Sequence, residues 1–161
     1  MHDSDWSSEA VCFASSRELL SGTAENTFSP NAEMTRAMLF TVLARYDGQE
    51  TSGGSNWYEK AQNWVKGTGI SDGSQPEMKI SREQLVTIIY RYAGSPDYSG
   101  GSLNNFSDAD SVSKYAENAF CWAIKEGIIS GKGNGLLDPK GTATRAETAA
   151  ILMRFIISAS K

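Results

Sequence analysis

Three arginines stand directly after a helix-capping residue, where a cation is locally unfavourable. In the stretch ATRAE, Thr144 and Glu147 have the spacing of a capping box, which places Arg145 at the first position of a predicted helix. The positive end of the helix dipole disfavours a cation there by about 0.3–1 kcal/mol. The same arrangement recurs in MTRAM and KISREQ, where the arginines are Arg36 and Arg82. Because a guanidinium and the free N–H groups of a helix start both attract an anion, the pattern predicts anion-binding positions.

A structural role for these arginines is the alternative. Each could pair with a carboxylate of a neighbouring segment and hold the fold together. A second set of arginines follows nine residues after the first and consists of Arg45, Arg91 and Arg154. At about 100° per residue, this spacing places the second set on the opposite face of each helix. Structural pairing is therefore the expectation for the second set.

The elements that carry these arginines are repeated three times. The segments WSSEAVCFASSRELLSG, WYEKAQNWVKGTGISDG and YAENAFCWAIKEGIISG align without gaps and begin at Trp6, Trp57 and Tyr115. Each ends in a glycine, and these glycines are Gly22, Gly73 and Gly131. A second block follows each segment, with the sequences TRAMLFTVLARY, SREQLVTIIYRY and TRAETAAILMRF. Two independent blocks in the same order three times predict three helix–loop–helix units.

The apolar pattern of these units predicts an all-α fold. The second helix of each unit has a wide apolar face, so it should be largely buried. A two-helix unit cannot bury that face alone, and the three units must share one core. We predict one domain, residues 1–161, in which repeats of about 1–48, 54–94 and 105–161 form a closed pseudo-threefold bundle. An open solenoid is the alternative, although it would need more repeats and distinct caps.

Composition argues against several partners. The net charge of −4 and the pI of about 5.0 oppose binding to nucleic acid or to an anionic membrane, which require a broad basic face. Hydropathy opposes membrane insertion as well, because no apolar run approaches the roughly 18 residues of a membrane span. The chain is expected to be a fragment of a longer protein, since it opens with a short polar lead.

Catalysis and metal binding are also not expected. The single histidine, His2, lies in the polar lead, and neither Cys12 nor Cys121 has a histidine partner in view. This composition removes most nucleophilic triads and metal sites, so we predict no enzymatic activity and no cofactor. Asp108 and Asp110 are too few ligands for calcium. Both cysteines are expected to be free thiols.

The repeated motifs resemble the S-layer homology (SLH) motif, three of which in tandem form that family's anchoring unit. The resemblance covers nearly the whole chain and is plainest in residues 26–45 and 106–131. It implies a non-catalytic module that holds exported proteins on a bacterial surface without a covalent bond. The implied ligand is a secondary cell-wall polysaccharide, often with a pyruvate ketal whose carboxylate binds in grooves between repeats.

The resemblance also implies which residues line those grooves: the arginine of TRAE, the glycine before the loop, and nearby aromatic residues. The corresponding ligand-binding candidates are Arg36, Arg82, Arg145, Gly22, Gly73, Gly131, Trp6, Trp57 and Tyr115. The aromatic rings could stack on a sugar face, but packing at a helix entrance explains them equally well. Several positions depart from the motif. Met38 replaces its glutamate in the first repeat, and Ser81, Glu83 and Gln84 replace its threonine, alanine and glutamate in the second. Glu83 adds a carboxylate that could repel an anion or pair with a neighbour.

Localisation and partners follow from the same resemblance. We expect a secreted protein of the cell wall or S-layer of a Gram-positive-type bacterium. Its partners would be cell-wall glycan and a cargo domain covalently linked in the full-length protein, and the chain itself would be a monomer. Lys140, in a loop before the third motif, could donate to a sugar hydroxyl or face water. The alternative function is a helical module that binds a peptide or another surface protein.

Overall fold

The computed structural model describes five α-helices in an all-α chain. The residues described are 33–49, 58–99, 102–103, 106–129 and 137–159. The helices are α1 Arg36–Tyr46, α2 Glu59–Thr68, α3 Arg82–Tyr92, α4 Glu117–Lys125 and α5 Arg145–Ala159. Two short 3₁₀ helices, Ala109–Ser111 and Lys114–Ala116, lead into α4. These ranges contain isolated β-bridges but no β-strand, which confirms the predicted all-α class.

Helices α1, α3 and α5, here called the motif helices, begin where the capping residues predict. The Ser81 hydroxyl accepts the N–H of Gln84, whose side chain accepts the Ser81 N–H in return. Thr144 and Glu147 form the same reciprocal pair at the start of α5. At α1 the Thr35 hydroxyl accepts the N–H three residues on, but the methionine there cannot return the bond. All three arginines therefore occupy the first helical position.

The residues just before the motif helices are joined in a closed ring of backbone hydrogen bonds. Met34 N–H donates to the carbonyl of Ala143 (2.9 Å), Ala143 N–H donates to Ile80 (3.0 Å), and Ile80 N–H donates to Met34 (2.8 Å). All three side chains are fully buried. The starts of the motif helices thus meet at one place. The pseudo-threefold bundle and the repeat boundaries stay predictions for the whole chain, because residues 1–32 lie outside the described ranges.

Aromatic side chains close the opposite end of the motif helices. Tyr46, Tyr92 and Phe155 each lie ten residues after a motif arginine. Their rings contact one another edge to face, with centroids 6.1–6.4 Å apart. Such pairs are worth about 0.5–1.5 kcal/mol each beyond the area that they bury. The motif helices are therefore fixed at both ends, and the side chains at their starts occupy defined positions.

Each of the first two motif helices also docks its start on the loop of the following repeat. Arg36 N–H donates to the carbonyl of Met78 (2.9 Å), and Arg82 N–H donates to the carbonyl of Gly141 (2.8 Å). Both carbonyls lie four residues before the next motif arginine. The two junctions are therefore built in the same register, which allows Arg36 and Arg82 to be compared directly.

Candidate ligand-binding groove

Arg36 extends from the start of α1 onto the loop of the second repeat. Its Nε donates to the carbonyl of Ser74 (2.9 Å), and its Nη2 donates to the hydroxyl of Ser71 (3.2 Å). The same Nη2 lies 3.4 Å from a carboxylate oxygen of Asp72, whose side chain is 74% exposed. The guanidinium carbon is also 5.6 Å from the centre of the Phe40 ring. Ser74 and Ser71 therefore fix the position of the Arg36 side chain, while its ion-pair partner Asp72 is more distant and faces solvent.

Beside Arg36 lies an open groove of about 320 Å³, here called the Arg36 groove. Its walls are formed by residues from the first, second and third predicted repeats, among them Arg36, Asp72, Gln75, Gln84, Arg91 and Tyr115. Such a convergence of two guanidiniums, amides, hydroxyls and one aromatic ring suits a polar, anionic ligand.

Among the described residues that line the Arg36 groove, cations outnumber carboxylates. Arg91 is exposed at the end of α3, and no described residue forms a hydrogen bond or ion pair with its guanidinium. The N–H and hydroxyl of Ser74 lower the pKa of Asp72, with smaller contributions from Arg36 and Arg91. Asp72 is therefore ionised at neutral pH, and its closest donors belong to Ser74, at 2.9 and 2.7 Å. One carboxylate thus faces two guanidiniums.

Tyr115 contributes a ring that is half exposed to solvent, with its hydroxyl anchored. The residue is 51% exposed, and its hydroxyl donates to Glu83 at 3.0 Å. Burial and this carboxylate raise the pKa of Tyr115 to about 12. Because the hydroxyl is hydrogen-bonded to the Glu83 carboxylate, the ring has a fixed position in the groove wall.

The Glu83 carboxylate is buried and has several donors. The Ser113 N–H and hydroxyl (2.9 and 2.8 Å) and Lys140 Nζ (2.9 Å) donate to it together with Tyr115. Burial alone would raise the pKa of Glu83, but these hydrogen bonds outweigh it and lower the pKa. The sequence left two roles open for Glu83, repulsion of an anion and pairing with a neighbour. The structure shows the pairing. Lys140 joins this cluster through both Glu83 and Ser113.

Gly73 shapes the loop that carries Ser71 and Asp72. Its φ of 71° is in the left-handed region, which disfavours other residues. Its N–H donates to the Ser71 hydroxyl (3.2 Å), and its carbonyl accepts from Gln62 (2.7 Å). Gly73 therefore positions the groove wall through the backbone.

Arg82, the equivalent arginine of the second repeat, has a closed environment. Its Nε donates to the carbonyl of Leu137 (2.8 Å), and its Nη1 forms a hydrogen-bonded ion pair with Glu147. The Arg82 side chain is 5% exposed and that of Glu147 is 17% exposed. The structure therefore does not bring Arg82 into the Arg36 groove.

The remaining predicted site residues are only partly described. Arg145 is 4% exposed, and burial lowers the pKa of its guanidinium. Four of the candidates lie outside the described residues, namely Trp6, Gly22, Trp57 and Gly131. Among the nine candidates, the structure thus places Arg36 and Tyr115 on the groove, with Gly73 in the supporting loop.

The free N–H groups expected at the helix starts are occupied at α1. The N–H groups of Arg36 and Ala37 donate to the carbonyls of Met78 and Pro76, at 2.9 and 2.8 Å. The next one donates to the Thr35 hydroxyl. This corrects the initial expectation, because an anion in the groove has to be held by side chains rather than by the first N–H groups of the helix.

Arg91 and Gln84 are groove residues that the sequence reasoning missed. The nine-residue spacing places Arg91 opposite Arg82 on α3, which favoured structural pairing. In the structure, however, Arg91 lines the same groove as Arg36, a residue of the first predicted repeat. The spacing locates a residue on its own helix but does not show which segment that face of the helix meets.

Other candidate chemistry has a structural explanation. The Asp108 carboxylate accepts the N–H groups of Leu137 (2.9 Å) and Asp138 (2.8 Å). Within the described ranges, no cluster of three His, Cys, Asp or Glu residues could hold a metal ion. Cys121 is a free thiol, and Cys12 lies outside the described residues. None of the described helices is long and apolar enough to cross a membrane.

The described residues form a class of helical module with an open groove beside the start of its first motif helix. The model of the S-layer homology domain matches residues 1–37 and 105–149, about half of the chain. The chain belongs to the S-layer homology domain family. This finding agrees with the motif resemblance seen in the sequence.

Relatives of this chain include both enzymes and S-layer proteins. An amylopullulanase of Thermoanaerobacterium thermosulfurigenes is 31% identical over 92% of the chain, and the match covers 9% of that protein. The exoglucanase XynX of Acetivibrio thermocellus is 29% identical over 92% of the chain and 15% of its own length. An S-layer protein of Bacillus thuringiensis subsp. finitimus is 25% identical over 92% of the chain and 20% of its own length. The chain thus spans a fifth or less of these relatives.

SLH domains anchor proteins to the cell surface, where they bind cell-wall polymers and form part of larger surface proteins. The chain is accordingly a non-catalytic anchoring domain of a secreted, cell-wall-associated protein. The short matched share of the relatives that are enzymes is consistent with catalysis residing in their other domains.

Proposed function

We propose that this domain anchors its parent protein by binding an anionic secondary cell-wall polysaccharide in the Arg36 groove, with a pyruvyl ketal as the recognised group. The observation that carries the proposal is the convergence of Arg36 and Arg91 from different repeats on one open groove. A guanidinium can bind a planar carboxylate through two parallel hydrogen bonds, which a lysine cannot do.

Arg36 is suited to act as the primary contact. Its Nε is fixed on the Ser74 carbonyl, so the orientation of the guanidinium costs little entropy on binding. Within the described ranges, the carboxylate paired with it is that of Asp72, which is 3.4 Å away and largely exposed. A ligand carboxylate can therefore displace Asp72 at small cost, since exposed ion pairs are worth about 0–1 kcal/mol.

Arg91 and Tyr115 complete the proposed recognition. Arg91 supplies a second cation for the acidic group. The half-exposed Tyr115 ring offers an apolar face on which a sugar ring can stack. In this proposal the domain works as a monomer and carries a covalently linked cargo domain in the full-length protein.

Binding to cell-wall sacculi tests the proposal. We expect the chain to sediment with purified sacculi and to remain in solution once acid has stripped the polysaccharide from them. Retention on stripped sacculi, or no binding to either, would contradict the proposal. Capture of a protein instead of glycan would favour the alternative function as a protein-interaction module.

The Arg36→Ala variant tests the site itself. We expect it to lose about 1–3 kcal/mol of binding free energy, or about 5- to 150-fold in affinity. Lys60→Ala is the matched control, because it removes one exposed cation that does not line the groove. Equal losses in both variants would indicate a general effect of net charge and would argue against a specific groove.

A further inference from the structure

The motif residue two positions after each arginine differs between the second and third repeats. It is Gln84 in the second repeat and Glu147 in the third. Both side chains complete the capping box of their own helix, because Oε1 of each accepts the N–H of the residue that caps that helix. The distances are 3.0 Å from Ser81 N to Gln84 Oε1 and 3.3 Å from Thr144 N to Glu147 Oε1.

The second polar atom of each side chain has the opposite character. Glu147 Oε2 is an acceptor, and it pairs with Arg82 of the preceding repeat. In Gln84 the corresponding atom is the amide nitrogen, because Oε1 is committed to Ser81. Gln84 lines the groove beside Arg36 of the preceding repeat. At this motif position a hydrogen-bond donor thus replaces an anionic acceptor.

The two arginines arrive at these side chains in the same register. Arg36 Nε donates to the Ser74 carbonyl and Arg82 Nε donates to the Leu137 carbonyl, at 2.9 and 2.8 Å. Both carbonyls lie eight residues before the next motif arginine. The guanidiniums are therefore delivered to equivalent places, and the following repeat determines what they meet there.

We infer that the residue at this motif position is a specificity determinant. A glutamate there occupies the arginine of the preceding repeat in an internal ion pair. A glutamine there leaves that arginine able to bind a ligand anion. Glu147 pairs with Arg82 in this way, whereas Arg36, whose side chain is 11% exposed, has the exposed Asp72 as its ion-pair partner. The inference about ligand access rests on the proposed function, whereas the internal pairing can be measured without any glycan.

The Gln84→Glu variant tests the inference. Its introduced carboxyl should pair with Arg36 and compete with the ligand. The probe is a methyl hexoside carrying a pyruvyl ketal, titrated by calorimetry against the whole 161-residue chain, with the unmodified hexoside as reference. We expect Gln84→Glu to weaken binding by about tenfold or more. Gln75→Glu is the matched control, because it adds the same charge to the same groove at another position.

A second measurement isolates the pairing. In an NMR titration, the introduced carboxyl of Gln84→Glu should have a pKa below that of an ordinary glutamate, and adding Arg36→Ala should raise that pKa again. An ordinary pKa that does not respond to Arg36→Ala would overturn the inference.

The possible failures are distinguishable. If the unmodified chain binds the probe and Gln84→Glu binds it equally well, the inference is wrong and the proposed function stands. A loss in Gln75→Glu equal to that in Gln84→Glu would also overturn the inference, since charge alone would explain both. If the unmodified chain does not bind the probe, the proposed function is contradicted, and the NMR titration alone decides the inference.

Discussion

Arg36 and Arg82 occupy the same position in successive repeats, yet their surroundings differ. Both are the first residue of a capped motif helix, and both bind a backbone carbonyl of the next loop through Nε. Arg82 then meets Glu147 in a buried ion pair, whereas Arg36 opens on a groove with the exposed Asp72 as its ion-pair partner. The side-chain hydrogen-bond partners of both arginines therefore belong to the segment that follows their helix.

The structure shows structural pairing for Arg82, and the proposed function assigns anion binding to Arg36. An ion pair such as Arg82–Glu147 is costly to break, because removing one partner leaves an uncompensated charge in a poorly solvated place. The ion pair of Arg36 with Asp72 is exposed at its carboxylate, and exposed ion pairs are worth about 0–1 kcal/mol.

Replacing Arg82 should have the largest effect, and the effect should be on stability. Arg82→Ala leaves Glu147 unpaired, and we expect a loss of about 3–5 kcal/mol in the free energy of unfolding, measured in urea. Arg36→Ala is the matched comparison and should lose about 1 kcal/mol. Because a neutral pair avoids the unpaired carboxylate, Arg82→Ala with Glu147→Gln should recover part of the loss. Equal destabilisation by Arg36→Ala and Arg82→Ala would remove the distinction between the two sites.

Replacing Glu83 should make stability depend less on pH. Its pKa is lowered in the folded state, so its stabilising contribution is complete above the ordinary glutamate pKa of about 4.3 and is lost as the pH falls through the lowered folded pKa. At pH 7 we expect Glu83→Gln to lose about 2 kcal/mol.

The unfolding free energies of Glu83→Gln and the unmodified chain should converge at acidic pH, as urea titrations across the acidic range would show. A difference between the two proteins that stays constant with pH would mean that the ionised Glu83 carboxylate does not provide the stabilisation.

Removing the Tyr115 ring should weaken glycan binding moderately. Tyr115→Ala is expected to lose about 1 kcal/mol of binding free energy in calorimetry, since it removes the aromatic surface of the groove. Tyr115→Phe keeps the ring but loses the hydrogen bond to Glu83, so its loss of affinity should be smaller. If Tyr115→Phe and Tyr115→Ala are equally weakened, the hydroxyl and not the ring face contributes to binding.

Replacing Arg91 should have the smallest effect. Its guanidinium is exposed, so Arg91→Ala is expected to lose about 0.5–1 kcal/mol of binding free energy, and the loss should diminish as salt is added. Titrations at low and high ionic strength would measure this. A loss larger than that of Arg36→Ala would exchange the proposed roles of the two arginines.

Local features of the fold could be predicted from the sequence. The capping residues Thr35, Ser81 and Thr144 predicted the starts of the motif helices, because an N-cap acts on the first turn that follows it. The apolar positions of those helices predicted burial, and the side chains there are buried. These predictions depend on neighbours within about one turn of helix, which a sequence displays directly.

The division between open and closed arginines could not be predicted in the same way. It depends on the second polar atom of Gln84 or Glu147 and on an arginine 48 or 65 residues earlier in the chain, and that relation appears only in the folded structure. The occupied N–H groups at α1 have the same origin, since their acceptors belong to the next repeat. Arg91 was misjudged because its neighbour is in another repeat.

The most direct test of the account is a crystal structure of the chain soaked with a pyruvyl-ketal methyl hexoside. We predict that the ketal carboxylate lies within hydrogen-bonding distance of Arg36, displaces Asp72, and places the sugar against Tyr115, while Arg82 keeps its pair with Glu147. A ligand bound at Arg82, or bound away from the Arg36 groove, would contradict the account.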